Sequence, residues 1–160
     1  INHGLTPQEI FFYRFLIAYL GIWVISPKRL FAGNWKDELW LMAGGLFGGS
    51  LYFFTENTAL GITQASNVAF IICTAPLLTT ILSLLFYKSE KATKGLIYGS
   101  ILALIGVGLV VFNGSFVLKL SPVGDLLTLL AALSWAFYSL VIKKMTGRYP
   151  TVFILSLIHI

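Results

Sequence analysis

Three ionisable side chains stand inside long apolar runs of this chain: Arg14, Glu56 and Asp125. A charge at the centre of a hydrocarbon layer costs about 2.5–3.5 kcal/mol on insertion scales, so each needs a partner, water or an interface. At a helical rise of about 1.5 Å per residue, Arg14 lies roughly 10 Å inside the run that opens at Pro7, and Glu56 roughly 6 Å inside the end of the run that closes at Leu60. The two runs are consecutive. Folded antiparallel they place these residues at similar depth, which predicts an Arg14–Glu56 charge pair, with snorkelling of Arg14 to the surface as the alternative. Glu56 shares a helical face with Gly44, Gly48 and Tyr52, each four residues apart. Tyr52 and Glu56, with Asn67 and Thr74 of a third run and Trp135 of a fifth, are the candidate lining of a substrate cavity for a small molecule, and Glu56 is the candidate proton-coupling group. Simpler roles compete: an aromatic packs or anchors at an interface, and Asn67 can serve a helix start. Asp125, in the first turn of its run, is accounted for by the helix dipole.

Catalytic chemistry finds little support. Gly49-Ser50 invites comparison with a membrane serine hydrolase, but the two histidines, His3 and His159, are terminal, so no imidazole stands in a complete run to act as base. One cysteine, Cys73, gives neither a disulfide framework nor a metal pair and reads as a small apolar residue. No cofactor or metal is expected. The net charge of +5 does not point to nucleic acid, because nine of the eleven Lys and Arg residues fall in three short loops.

Those loops define the elements that must hold the polar groups. Apolar residues make up 58% and charged residues 11% of the chain, too little charge to cover a soluble domain of this size. Five apolar runs, Pro7–Ser26, Glu38–Leu60, Ser66–Phe86, Lys94–Phe112 and Pro122–Ile142, each have about the length that crosses a ~30 Å hydrocarbon core. The loops after them carry, in order, Lys28, Arg29 and Lys36; no Lys or Arg; Lys88, Lys91 and Lys94; Lys119 alone; and Lys143, Lys144 and Arg148. Short inner loops collect Lys and Arg, so the alternation predicts an all-α, multi-pass membrane protein of five complete transmembrane helices, with Ile1 outside and the three basic loops cytoplasmic. In a bacterium this would be the inner, plasma membrane. Residues 1–4 lack a charged n-region, and no cleavable signal peptide is expected.

Local signals set the helix ends. Thr6-Pro7-Gln8-Glu9 fits a capped start, Ser121-Pro122 another, and Asp37 and Glu38 favour the start of the second helix. Gly44/Gly48 and Gly45/Gly49 form two GxxxG pairs, and Gly95/Gly99 a third; in lipid such surfaces allow close helix approach, within one chain or across a homodimer. Pro76 predicts a kink in the third run, either merely tolerated or bending the helix around a cavity. A sixth run, Thr151–Ile160, is too short to span, and the chain reads as a piece of a longer one. Leu155–Ile160 resembles translated adapter sequence, so His159 carries no functional weight.

The segments EIFFYRFLIAYLGIW, ALGITQASNVAFIICTAPLLTTILSLLF, GLIYGSILALIGVGLVVFNG and GDLLTLLAALSWAFYSLVIKK resemble EamA-type transporters of the drug/metabolite transporter superfamily, from Gly4 to Arg148. The most telling pieces are the short loop into Ser66–Pro76, the helix ending in Asn113-Gly114, and Gly124-Asp125 followed by Ser134-Trp135. The resemblance implies a ten-helix, inverted-repeat fold around a central substrate cavity. Residues 1–114 would then be the first repeat without its first helix, and 115–160 the start of the second, with helix six and a truncated helix seven. It also implies a permease working by alternating access. The competing class is a non-transporting membrane scaffold, against which Arg14, Glu56 and Pro76 are costly features to keep.

Overall fold

The computed structural model describes residues 7–25, 32–87, 93–112 and 121–158. Thr6, Lys28, Arg29, Lys88, Lys91, Asn113-Gly114, Lys119 and His159 lie outside the described residues. Every regular element among the described residues is helical: α1 (Pro7–Ile25), α2 (Trp35–Gly45), a π turn (Leu46–Leu51), α3 (Tyr52–Ile62), α4 (Ala65–Ile72), α5 (Ala75–Phe86), α6 (Lys94–Phe112), α7 (Pro122–Thr146) and α8 (Thr151–Ile158).

Each of the five apolar runs is helical. Two of them, Ala65–Phe86 across α4 and α5 and Pro122–Thr146 in α7, are long and apolar enough to cross a membrane by length and composition. The second run belongs to one unbroken rod from Trp35 to Ile62, in which α2 passes through the π turn into α3. It starts before Glu38 because Asn34 caps it: the Asn34 backbone is extended, and its side chain accepts from the N–H of Lys36 at 3.3 Å. The π turn contains Gly48 and Gly49, where the missing side chains permit a widened turn against a neighbour. Its buried side continues the buried face of the rod, through Leu41, Gly44, Gly48, Gly49, Thr55 and Ala59.

The kink expected from Pro76 is a full interruption at Cys73–Thr74, immediately ahead of α5. Proline has no N–H to give the carbonyl four residues back, and its ring crowds that carbonyl, so the ladder stops there. Thr74 adapts the break, its hydroxyl donating to the Ile71 carbonyl at 2.6 Å.

The centre of the bundle is α7, which packs against α2, the π turn, α3, α4, α5 and α8. Gly124, Thr128, Ala132, Ala136 and Leu140 recur every four residues along its buried side, with Ala131, Ser134, Val141 and Met145 beside them. Such a stripe of small residues brings backbones close, the means of helix association left when lipid removes the hydrophobic drive. The helix continues past Ile142 to Thr146 because its terminal cations find partners. Lys144 Nζ sits 3.7 Å from the centroid of the Trp40 ring, and Lys143 Nζ donates to Ser83 Oγ at 3.2 Å. Leu41, Val141, Met145 and Ile154 form a buried apolar cluster at this end. By contrast α6 shows Tyr98, Leu102 and Leu109 to the surroundings, 69–73% exposed, the composition of a face made for hydrocarbon.

Candidate solute cavity and its fastenings

A cavity of about 460 Å³ lies between α1, the π turn, α3 and α7. From α1 come Arg14, Phe15, Ile17 and Ala18; the rod adds Gly48, Gly49 and Phe53, and α7 adds Trp135 and Tyr138. The volume falls in the range of small-molecule sites, and the walls are mostly apolar and aromatic with few polar groups, as such sites require. Phe15 meets Phe53 edge-on at 5.7 Å between centroids, and Trp135 meets Tyr138 at 5.1 Å. The π turn makes room for Tyr138: an added Cβ on Gly48 would run into the Tyr138 ring. Gly49 is looser, with Phe15 Cε1 3.8 Å from where its Cβ would stand.

Of the residues expected to line a substrate cavity, Trp135 does so directly. Tyr52 stands behind it, its ring 5.0 Å from that of Trp135. Glu56 is one turn further along, accepting from the Tyr52 hydroxyl at 3.2 Å. No ion pair joins Arg14 to Glu56 among the described residues. Arg14 is exposed on the cavity wall, and the half-buried Glu56 carboxylate meets its need for a donor on its own helix. Thr74 lies at the α4–α5 break, occupied with the Ile71 carbonyl.

Asn67 belongs to a separate cluster. It is 2% exposed, and its Nδ2 lies 3.5 Å from Thr63 Oγ1, which donates to Asp125 Oδ1 at 3.4 Å. The other oxygen of Asp125 accepts from the N–H of Ser121 at 3.1 Å, the helix-start role expected of it. Gly124 lets the two elements meet, since a Cβ there would come within 2.7 Å of Thr63 Cβ. The cluster ties the α3–α4 turn to the start of α7.

The opposite end of α7 carries a fastening that sequence reasoning missed. Asp37, 5% exposed, receives Arg148 Nη1 at 2.9 Å on one oxygen and the Tyr149 hydroxyl at 3.0 Å on the other. The hydrogen bond to Asp37, then burial and the charge of Asp37, raise the Tyr149 pKa above its ordinary value of 10.0. Nearby, Tyr87 at the end of α5 donates to the Leu140 carbonyl at 3.1 Å. The segments beside the basic loops therefore gather at one end of the bundle, and the Gly61–Ala65 turn meets the start of α7 at the other.

The glycine pairs divide. Gly44, Gly48 and Gly49 are buried and Gly45 half-buried within this chain. At Gly95 and Gly99 none of the described residues lies within 4 Å of an added Cβ.

The chain belongs to the EamA-like transporter family, which it matches over residues 1–112. It is 31% identical over 151 residues to the uncharacterized transporter YdfC of Bacillus subtilis (strain 168), a match covering 91% of this chain and 47% of that protein. It is 30% identical over 149 residues to an uncharacterized transporter of Archaeoglobus fulgidus, covering 91% of this chain and 50% of the relative. The chain thus spans about half the length of the curated relatives it matches. No solved structure matches it. Family membership and the two long apolar helices make it a membrane protein.

Proposed function

We propose that this chain forms part of a plasma-membrane permease that moves a small organic solute by alternating access. The five apolar runs are its transmembrane helices, with the basic loops in the cytoplasm and the Gly61–Ala65 turn outside. The parent fold has ten helices in two inverted repeats, of which residues 1–114 belong to the first and 115–160 open the second. The cavity between α1, the π turn, α3 and α7 carries this reading: it has the size and lining of a small-molecule site, in a chain of a transporter family. Glu56, one hydroxyl removed from the Trp135 wall, is the proton-coupling residue. The test is metabolite profiling of cells expressing the gene against cells expressing a Trp135→Ala variant of equal abundance. A solute whose accumulation or release depends on Trp135 is expected. Identical profiles for expressing and non-expressing cells would remove the permease reading, and flux indifferent to collapse of the proton gradient would remove the role of Glu56.

A further inference from the structure

Among the described residues, Arg14 is the one charged side chain on the cavity wall, and none of the acidic residues lines that wall. No ion pair involving Arg14 forms among the described residues, and Glu56, once its expected partner, accepts from Tyr52 instead. A guanidinium at this depth is expensive unless it meets water or an anion, and its planar fork matches a carboxylate with two parallel hydrogen bonds. The rest of the wall is chemically uniform. Phe15, Phe53, Trp135 and Tyr138 present ring surface, and the π-turn glycines present only backbone. Rings of this kind favour flat apolar bodies stacked or met edge-on. A cationic solute gains from the ring faces but is repelled by Arg14, with no carboxylate among the described wall residues to offset the repulsion.

We propose that this cavity binds a monovalent organic anion with a flat apolar body, its carboxylate on the Arg14 guanidinium and its body against Phe53, Trp135 and Tyr138. The inference rests on the permease reading for its biological sense and adds the class of solute. Trp135 and Tyr138 bring an indole N–H and a phenol to the same lining, and the Tyr138 ring is placed by the space that Gly48 leaves.

The experiment is equilibrium binding to the purified protein in nanodiscs of neutral phosphatidylcholine, with three probes of similar size that differ in charge: phenylacetate, phenylacetamide and phenethylamine. Phenylacetate should bind best. Arg14→Gln should weaken it about 10- to 100-fold, the range for losing a charge-assisted hydrogen bond, and leave phenylacetamide within about twofold. Arg14→Lys should keep most of the preference for the anion, which separates loss of charge from misfolding. Phenethylamine binding as tightly as phenylacetate, or an Arg14→Gln variant that binds all three as the native protein does, would overturn the proposal. An anionic lipid headgroup carries the same chemistry, so binding is repeated in discs containing phosphatidylglycerol. Phenylacetate affinity should hold there, and its displacement by the lipid would assign Arg14 to the membrane surface and overturn the solute site. Vesicle flux measured in parallel separates the two readings. Arg14-dependent binding without flux leaves the anion site standing and removes the permease, whereas flux of cations or neutral solutes without phenylacetate binding does the reverse.

Discussion

The contact between Gly48 and Tyr138 makes a quantitative prediction. In Gly48→Ala the new methyl group would stand 2.5 Å from Tyr138 Cγ and 2.7 Å from Cε2. Carbon atoms rest at roughly 3.5–4.0 Å, so the ring or the helix must give way by about 1 Å. The ring cannot simply swing aside, because Trp135 lies 5.1 Å from it and the ring also packs against the apolar cluster around Leu41 and Met145. Overpacking of this kind costs about 1–3 kcal/mol. The substitution also gains the intrinsic helix preference of alanine over glycine, up to about 1 kcal/mol. Gly99→Ala on α6 makes the same gain with none of the described residues within 4 Å of its Cβ, so the difference between the variants isolates the steric effect. Gly48→Ala should be about 1–3 kcal/mol less stable than Gly99→Ala, read as midpoints of thermal unfolding in mild detergent by far-ultraviolet circular dichroism. At roughly 2–4 °C per kcal/mol for a chain of this size, the separation is measurable. Removing the ring should remove the penalty: Gly48→Ala combined with Tyr138→Ala should be at least as stable as Tyr138→Ala alone, by up to the same helix-preference gain that Gly99→Ala makes. Equal midpoints for the two alanine variants, or a penalty that survives loss of the ring, would refute the assignment of the π turn as a seat for Tyr138.

Two further predictions concern the Asp37 end of the bundle. Asp37→Asn should cost about 1–2 kcal/mol, the loss of charge-assisted hydrogen bonds, and not the larger penalty of a fully buried pair, because the Arg148 side chain is 57% exposed and can turn to water; a melting point equal to the native one would show the fastening to be idle. The Tyr149 pKa is raised in the folded protein, so its contribution is complete below pH 10 and is lost as pH rises through the folded value; Tyr149→Phe should therefore flatten the alkaline arm of the melting-point profile, and an unchanged arm would contradict the hydrogen bond to Asp37. In sealed cells, a membrane-impermeant thiol reagent should label Gln64→Cys and spare Lys91→Cys in a Cys73→Ser background, and equal labelling of both would overturn the proposed orientation.

How far the sequence is legible depends on whether a feature is carried by one helix or by the meeting of two. The apolar runs predict the helices to within a few residues, because span length and proline position act within a single segment. Pro76 likewise announces the α4–α5 break, since the missing N–H acts on its own helix whatever packs beside it. Gly48 and Gly99 show the opposite case. Both stand in GxxxG pairs, yet one is pressed by a ring from α7 and the other faces open space among the described residues. No periodicity distinguishes them, because the deciding atom belongs to another segment. Part of the cavity wall is hidden for the same reason: Phe15 and Phe53 read as ordinary aromatic residues until α1, α3 and α7 come together. Asp37 was read as a helix-start charge, and only the approach of Arg148 and Tyr149 gives it a second role. The stripe Gly124, Thr128, Ala132, Ala136 has a four-residue spacing that the sequence reading passed over, and its burial shows α7 approaching its neighbours closely.

The arrangement has a mechanical consequence for the cavity. Both wall residues of α7, Trp135 and Tyr138, sit between two polar fastenings, Asp125 with Thr63 near its start and Arg148 and Tyr149 with Asp37 beyond its end. While both hold, α7 cannot slide along the α2–α3 rod, so the Tyr138 ring stays over Gly48 and Trp135 stays on Tyr52. The fastenings are unequal. Thr63 reaches Asp125 at 3.4 Å through a neutral donor, whereas Asp37 receives a guanidinium and a phenol at 2.9 and 3.0 Å. Both acceptors are carboxylates, but Asp37 holds an ion pair and a second short bond while the Thr63 contact is a single long one, so a pull on α7 should release the Thr63 end first. Release there would free Trp135 and Tyr138 to move relative to Gly48, while the Asp37 end, beside the apolar cluster of Leu41 and Met145, stays joined.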